Sequence, residues 1–192
     1  ANKQGRIAAD NICGGNSRFH GSQGSSVLKL FGLTAASTGI NEKAAQAAGI
    51  AYDKVVLFPA SHATYYPGAQ SMAMKVLYEK GTLRLLGAQI VGREGADKRI
   101  DVLATAIRAG MTALELTELD LAYAPPYSSA KDPANMAGFM IEDLESGKVR
   151  QFHWDEVDGL PRDGSAALLD VRTAWEYQRG HLDGFRNIPL DD

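Results

Sequence analysis

At 192 residues, with 45% hydrophobic and 22% charged side chains, the chain has the length of one full domain plus additional pieces and the balance of a soluble globular protein. A net charge of −3 gives nucleic acid or an anionic membrane surface no electrostatic reason to bind, and no apolar run approaches the ~20 residues that a membrane-spanning helix needs. Cys13 is the single cysteine, which rules out an intramolecular disulfide framework and any Cys-rich zinc site, and points to a reducing, cytoplasmic setting.

Residues 1–6 carry no signal-peptide core, and a start at Ala1 in place of Met is what a processed chain or an excised piece shows. Ile7, Ala8, Asn11 and Ile12 then share one face of a short helix that Gly14-Gly15 ends, with Cys13 expected as a packed, inert thiol. The glycines of stretch 21–26 lack the Lys-Ser/Thr of a phosphate-binding loop and any dinucleotide fingerprint, so they read as a plain turn before a strand in the apolar run 27–33. Asn41 N-caps an Ala-rich helix from Glu42, which Gly49 closes.

From Tyr52 the pattern turns to strands. Val55 to Phe58 form a short apolar run, and Met72, Met74, Val76 and Tyr78 alternate with the period of two that buries one face of a strand. Lys80-Gly81 turns the chain into a partner strand over 83–91, and the strand at Val56 is predicted to join the same sheet. Ile100, Leu103, Ala104 and Ile107 then make one helical stripe, stopped by Gly110. Thr112 and Glu115 form a capping box for a short helix to Leu119, and Asp132-Pro133 starts a helix to about Leu144. Strands followed by segregated helices predict an α+β fold, an antiparallel sheet with helices. After a linker near Ser146-Gly147-Lys148, the tail shows one short strand (166–171) and the first turns of a helix (173–179). That is too little to bury a core by itself, so the tail leans on the preceding domain or belongs to a truncated one.

Two loops hold the candidate chemistry. In Tyr123-Ala124-Pro125-Pro126-Tyr127 the prolines are expected to impose an extended, stiff backbone, so that flanking tyrosines lose little freedom when a partner docks. The bland alternative is a proline-stiffened connection with surface tyrosines. In Ser61-His62-Ala63-Thr64-Tyr65-Tyr66-Pro67-Gly68, His62 has no accompanying nucleophile and reads as a structural loop histidine, whereas Tyr65 and Tyr66 offer phenolic donors to a developing anion. His20, His153 and His181 show no metal-ligand spacing, and no metal site is expected.

Several of these stretches coincide with a known family. Residues 1–12, Ala35-Ala36-Ser37-Thr38-Gly39, His62 to Gly68, Lys98-Arg99-Ile100-Asp101-Val102 and the Tyr-Ala-Pro-Pro-Tyr loop together resemble the C-terminal half of the CoA-disulfide reductases, in the family that includes NADH oxidases and peroxidases. The tail, through Leu169-Asp170-Val171-Arg172-Thr173, Glu176-Tyr177, Gly180-His181-Leu182 and Asn187-Ile188-Pro189-Leu190, resembles the opening of a rhodanese domain. The first resemblance implies that residues 1–33 close an FAD-binding domain and that 34–145 form a dimerisation domain; the second makes 146–192 a linker plus a rhodanese-like beginning.

The first resemblance also implies FAD and NAD(P)H as cofactors of the whole enzyme. Their fingerprints and the redox cysteine would lie upstream of Ala1, so this chain alone is expected to hold neither. It further implies a homodimer acting on CoA disulfide or persulfide. Tyr65 (Tyr66 as second choice) and Tyr123 are catalytic candidates reaching the partner's active site, and Tyr123, Ala124 and Pro125 approach its flavin and CoA thiol. Ala1 and Asn2 would lie near the flavin, where a helix N-terminus favours an anionic ring.

Other readings remain open at this point. One is an oxidase or peroxidase of the same family; a second is an inactive dimerisation module; a third, a stand-alone sulfurtransferase, is opposed by the absence of any cysteine after Cys13.

Overall fold

The computed structural model describes residues 2–190, which form two compact units divided between Val149 and Arg150. The first unit opens with helix α1 (Asn2–Ile12), which buries no residue and leaves Cys13 exposed. The thiol is therefore not packed as expected: Cys13 follows the helix in a turn whose residues are themselves exposed.

The apolar run 27–33 is not one strand. It breaks at Phe31-Gly32 into a tight hairpin, β1 (Ser26–Leu30) against β2 (Leu33–Gly39), with Phe31 at a positive φ of 52°. Helix α2 (Glu42–Ala47) follows, and the Asn41 side chain accepts the Ala44 amide at 2.9 Å. Strands β3 (Tyr52–Leu57), β4 (Met72–Glu79) and β5 (Leu85–Gly92) complete an antiparallel five-stranded sheet in the order β1-β2-β5-β4-β3. The expected hairpin and the added strand at Val56 both form. Met72, Met74, Val76 and Tyr78 all point into the core, and a bulge at Leu77/Tyr78 lets Leu77 be buried as well.

Helix α3 (Ala96–Ala109) packs on β2 and β5, and helix α4 (Pro133–Glu145) on β3 and a single 3-10 turn at Leu114–Leu116. The 3-10 turn corrects the helix expected through Leu119. Thr112 and Glu115 do pair, the Thr112 amide donating to the Glu115 carboxylate at 2.7 Å. The backbone bonds that follow, up to the Leu119 amide on the Leu116 carbonyl, span three residues each, so the segment is a 3-10 helix and turns in place of an α-helix. α4 begins where Asp132-Pro133 predicts, with a complete capping box of Asp132 and Asn135. The buried stripe of α3 is Ala96, Arg99, Ile100, Leu103 and Ala106; Ala104 and Ile107 are half-buried at its margin.

The second unit contains a 3-10 segment (Trp154–Gly159), strand β6 (Leu169–Asp170), helix α5 (Ala174–Arg179) and strand β7 (Arg186–Asn187). β6 and β7 run parallel with α5 between them in the chain, so the predicted strand and helix form and a further strand joins them. No helix among the described residues is long and apolar enough to cross a membrane.

Candidate functional site

The two tyrosine loops meet. The phenolic oxygens of Tyr65 and Tyr123 lie 2.8 Å apart, and both side chains are exposed. Either phenol can donate within the pair, which leaves one O–H free to be given to a third group. The hydrogen bond to Tyr65 raises the pKa of Tyr123, with desolvation and the Tyr65 charge adding in the same direction. Tyr123 thus stays a neutral donor at physiological pH.

Local chemistry shapes each loop. The 61–70 segment is closed at its base by the Ser61 amide donating to the Gln70 carbonyl (2.8 Å) and the Gln70 amide to Ser61 Oγ (3.1 Å). His62 is buried inside it, Nδ1 3.0 Å from Ser61 Oγ and Nε2 3.3 Å from the Pro67 carbonyl, with its ring edge-on to Tyr66. This is the structural placement expected of it. Tyr66, packed beside His62, makes no contact with Tyr123 that compares with the Tyr65 hydrogen bond.

The proline loop is not extended, as the sequence suggested. Tyr127 and Ser128 both donate their amides to the Ala124 carbonyl, at 2.9 and 3.1 Å, so Pro125-Pro126 occupy a tight turn. Proline's fixed φ suits the leading position of such a turn as well as it suits an extended segment. Ala124 and Pro125 are half-buried at the root of that turn, and Tyr123 stands just before it.

Beneath both loops lies a charged group that the sequence reading did not single out. Arg99 is fully buried, and its Nη2 donates to the Ser61 carbonyl (2.9 Å), the Tyr127 carbonyl (3.4 Å) and Ser128 Oγ (3.3 Å). The same nitrogen is 3.1 Å from Asp132 Oδ2, which also accepts from Ser128 Oγ at 2.7 Å and has Lys98 Nζ 3.7 Å away. A further link joins the loops directly, the Ala63 amide to the Ser128 carbonyl at 3.2 Å. The signal was present in the sequence, since Ala96, Arg99, Leu103 and Ala106 share a helical face; the charge at position 99 argued for solvent and masked it.

Of the proposed flavin contacts, Ala1 lies outside the described residues. Asn2 is exposed and lines a broad recess of about 1140 Å³ with Ile7, Arg18, Phe19 and Arg108 among others. Among the described residues no hydrogen bond or ion pair links Asn2 to the tyrosine pair. No cluster of three or more His, Cys, Asp or Glu side chains suited to a metal occurs among the described residues.

Comparison with known proteins bears on this geometry. The family profile described as pyridine nucleotide-disulphide oxidoreductase, dimerisation domain, matches residues 26–134. A coenzyme A disulfide reductase of Staphylococcus epidermidis is 41% identical over 143 residues, 74% of this chain and 32% of that protein. The structure of reduced Bacillus anthracis CoADR-RHD superposes with a TM-score of 0.91 at 46% identity, covering 99% of this chain and 34% of that one. A NAD-dependent persulfide reductase from A. fulgidus gives 0.88 at 41% identity, covering 98% and 34%. The chain therefore spans about a third of the length of these relatives.

Proposed function

The chain belongs to the pyridine nucleotide-disulphide oxidoreductase family, whose dimerisation domain it carries, and on that premise we propose that it is the dimerisation portion of an FAD-dependent NAD(P)H:CoA-disulfide or CoA-persulfide reductase. In this reading residues 1–33 close an FAD-binding domain, 34–145 form the dimer-making domain and 146–192 begin a rhodanese-like domain. The protein works as a cytoplasmic homodimer in which each subunit lends Tyr65 and Tyr123 to its partner's active site. The observation that carries the reading is the exposed phenol pair, 2.8 Å apart, on two loops of separate origin.

The chemistry follows from the proton inventory of that pair. Thiolate attack on a CoA disulfide forms one S–S bond, breaks another and expels CoA as a thiolate. One phenol of the pair donates its O–H to that sulfur while the second supports it by donating in turn, a chain in which each hydrogen bond strengthens the next. A hydrogen bond to a charged group is worth roughly 1.5–3 kcal/mol, about 10- to 100-fold in rate where it forms only as the charge develops. Ala124 and Pro125 would flank the CoA thiol from the base of the turn. FAD, when bound, supplies the two-electron transfer from NAD(P)H. What this chain's residues offer towards FAD is the N-terminal end of α1 at Asn2, where peptide dipoles favour negative charge.

The rhodanese-like reading of the tail is supported by its parallel β6–β7 pair flanking α5, and by solved structures that cover 98–99% of the chain, tail included. The test of the whole proposal is the Tyr65→Phe/Tyr123→Phe double variant in the full-length enzyme. It should turn over CoA disulfide about 100-fold more slowly or worse while retaining FAD absorbance. Unchanged turnover removes the catalytic role, and turnover only with oxygen or peroxide would move the enzyme to the oxidase branch.

A further inference from the structure

We propose that Arg99 is a positioning residue for the tyrosine pair, holding the two loops in the one arrangement that brings Tyr65 and Tyr123 together. The inference rests on the role given to those tyrosines above. It stands on three features of Arg99.

The first is its location. Arg99 lies in the first turns of α3, yet it is 1% exposed and its guanidinium reaches past the helix to the backbone of both loops. A single nitrogen, Nη2, joins the Ser61 carbonyl, four positions before Tyr65, to the Tyr127 carbonyl, four positions after Tyr123. Each loop is thus fixed at a main-chain atom close to its tyrosine, and rotamer freedom cannot loosen that tie.

The second is that the guanidinium is itself locked. Asp132 faces Nη2 at 3.1 Å, Ser128 Oγ sits between the two, and Nη1 donates to the Gly95 carbonyl at 3.4 Å. Gly95 has φ of 76°, and a Cβ there would collide with Arg99 Nη1, so the residue before α3 is both conformationally and sterically suited to this side chain. The third is chemical: the planar guanidinium holds the Gly95 carbonyl through Nη1 while Nη2 serves the loop carbonyls and faces Asp132, and a lysine, with one nitrogen, cannot occupy both places at once.

The tyrosines are exposed and joined by the hydrogen bond between their oxygens, and the buried Arg99–Ser128–Asp132 group fixes where the two loop bases stand. A merely structural ion pair would stabilise the fold without a specific effect on the step that uses the phenols.

The test is a cycle in the full-length, FAD-loaded dimer, with Arg99→Lys and Ser128→Ala each made in the parent and in the Tyr65→Phe/Tyr123→Phe background. Arg99→Lys should lower kcat for CoA disulfide about 10-fold, a displacement of well under the spacing of two atoms being enough. KM should change by less than about twofold, and the rate at which NAD(P)H bleaches the flavin should be unaltered. In the double-phenylalanine background the same change should cost less than about twofold, because the groups it positions are gone. Ser128→Ala, which removes one hydroxyl and leaves the ion pair, should show the same pattern more weakly and serves alone if Arg99→Lys does not assemble. Loss that multiplies with the tyrosine changes, parallel loss of flavin reduction by Ser128→Ala, or full turnover in both clamp variants would each overturn the proposal. Full turnover in the double-phenylalanine enzyme instead overturns the functional reading beneath it, and is told apart by that variant alone.

Discussion

Tyr65 and Tyr123 share a 2.8 Å hydrogen bond across 58 residues of chain, and that bond is the largest cause of the raised pKa of Tyr123. The sign gives a pH prediction. A phenol with a raised pKa keeps its proton below that value and loses it only as pH climbs through it. Replacing Tyr65 by Phe withdraws the support, so Tyr123 should ionise at lower pH and the alkaline limb of kcat should move down. Near-ultraviolet titration checks this directly: the phenolate signal lost on adding Tyr123→Phe should appear earlier in the Tyr65→Phe background than in the parent. An unmoved titration would mean that the pair is not hydrogen-bonded in solution.

A second prediction concerns Asp132. Its carboxylate faces buried Arg99 and caps α4 by accepting the Ala134 amide at 3.1 Å. Asp132→Asn keeps a capping oxygen but leaves the guanidinium buried and uncompensated, beside an Nε that already lacks a partner among the described residues. Breaking such a pair costs about 3–5 kcal/mol, or roughly 6–20 °C in Tm for a chain of this size. Replacing both partners, as Arg99→Met with Asp132→Leu, should be less harmful than Asp132→Asn alone. Thermal melts of the three variants decide it, and an Asp132→Asn melt within about 2 °C of the parent would refute a buried, unscreened pair.

Much of this fold could be read before the structure. The alternation at Met72, Met74, Val76 and Tyr78 identifies β4, and Asp132-Pro133 marks the start of α4, because strand period and helix capping are local properties. The hairpin inside run 27–33 was not legible, since an apolar run looks the same whether or not it turns at Phe31-Gly32. β2 was hidden by its composition: its Ala and Gly residues are poor strand formers, but Gly39 and Gly87 lie so close across β2 and β5 that a Cβ on either would strike backbone. The two tyrosine loops were each marked by their residues. Their meeting was not, because it depends on Arg99, a charge whose burial only tertiary packing reveals.

Gly138 supplies a packing prediction with an internal control. It lies in α4 where that helix crosses the 3-10 turn, and a Cβ would stand 2.9 Å from the Ala113 carbonyl oxygen and 3.0 Å from Leu116 and Thr117 side-chain atoms. Overpacking of this kind costs about 1–3 kcal/mol, against the ~1 kcal/mol that Ala gains over Gly in a helix. Gly5, in α1, has open space where its Cβ would be. Gly138→Ala should therefore lower Tm while Gly5→Ala leaves it unchanged or slightly higher, and a stabilised Gly138→Ala would contradict the close approach.

The last prediction separates an ionic from a packing contribution by pH. Glu42, in the first turn of α2, receives Lys54 from β3 and Lys75 from β4, the latter at 2.6 Å. Burial alone would raise its pKa, but the hydrogen bonds and charges of the two lysines outweigh that and hold it below the usual carboxylate range. A lowered folded-state pKa means stability that is present above the unfolded value and is lost as pH falls through the folded one. At 22% side-chain exposure the network is partly screened, and a contribution of about 1 kcal/mol is expected. Glu42→Gln should thus melt a few degrees below the parent at neutral pH, and the gap should close in acid once the parent carboxylate is protonated. A gap that persists at acid pH would assign the loss to the packing of α2 on the sheet, and its absence at neutral pH would leave the two lysines as solvated surface charges.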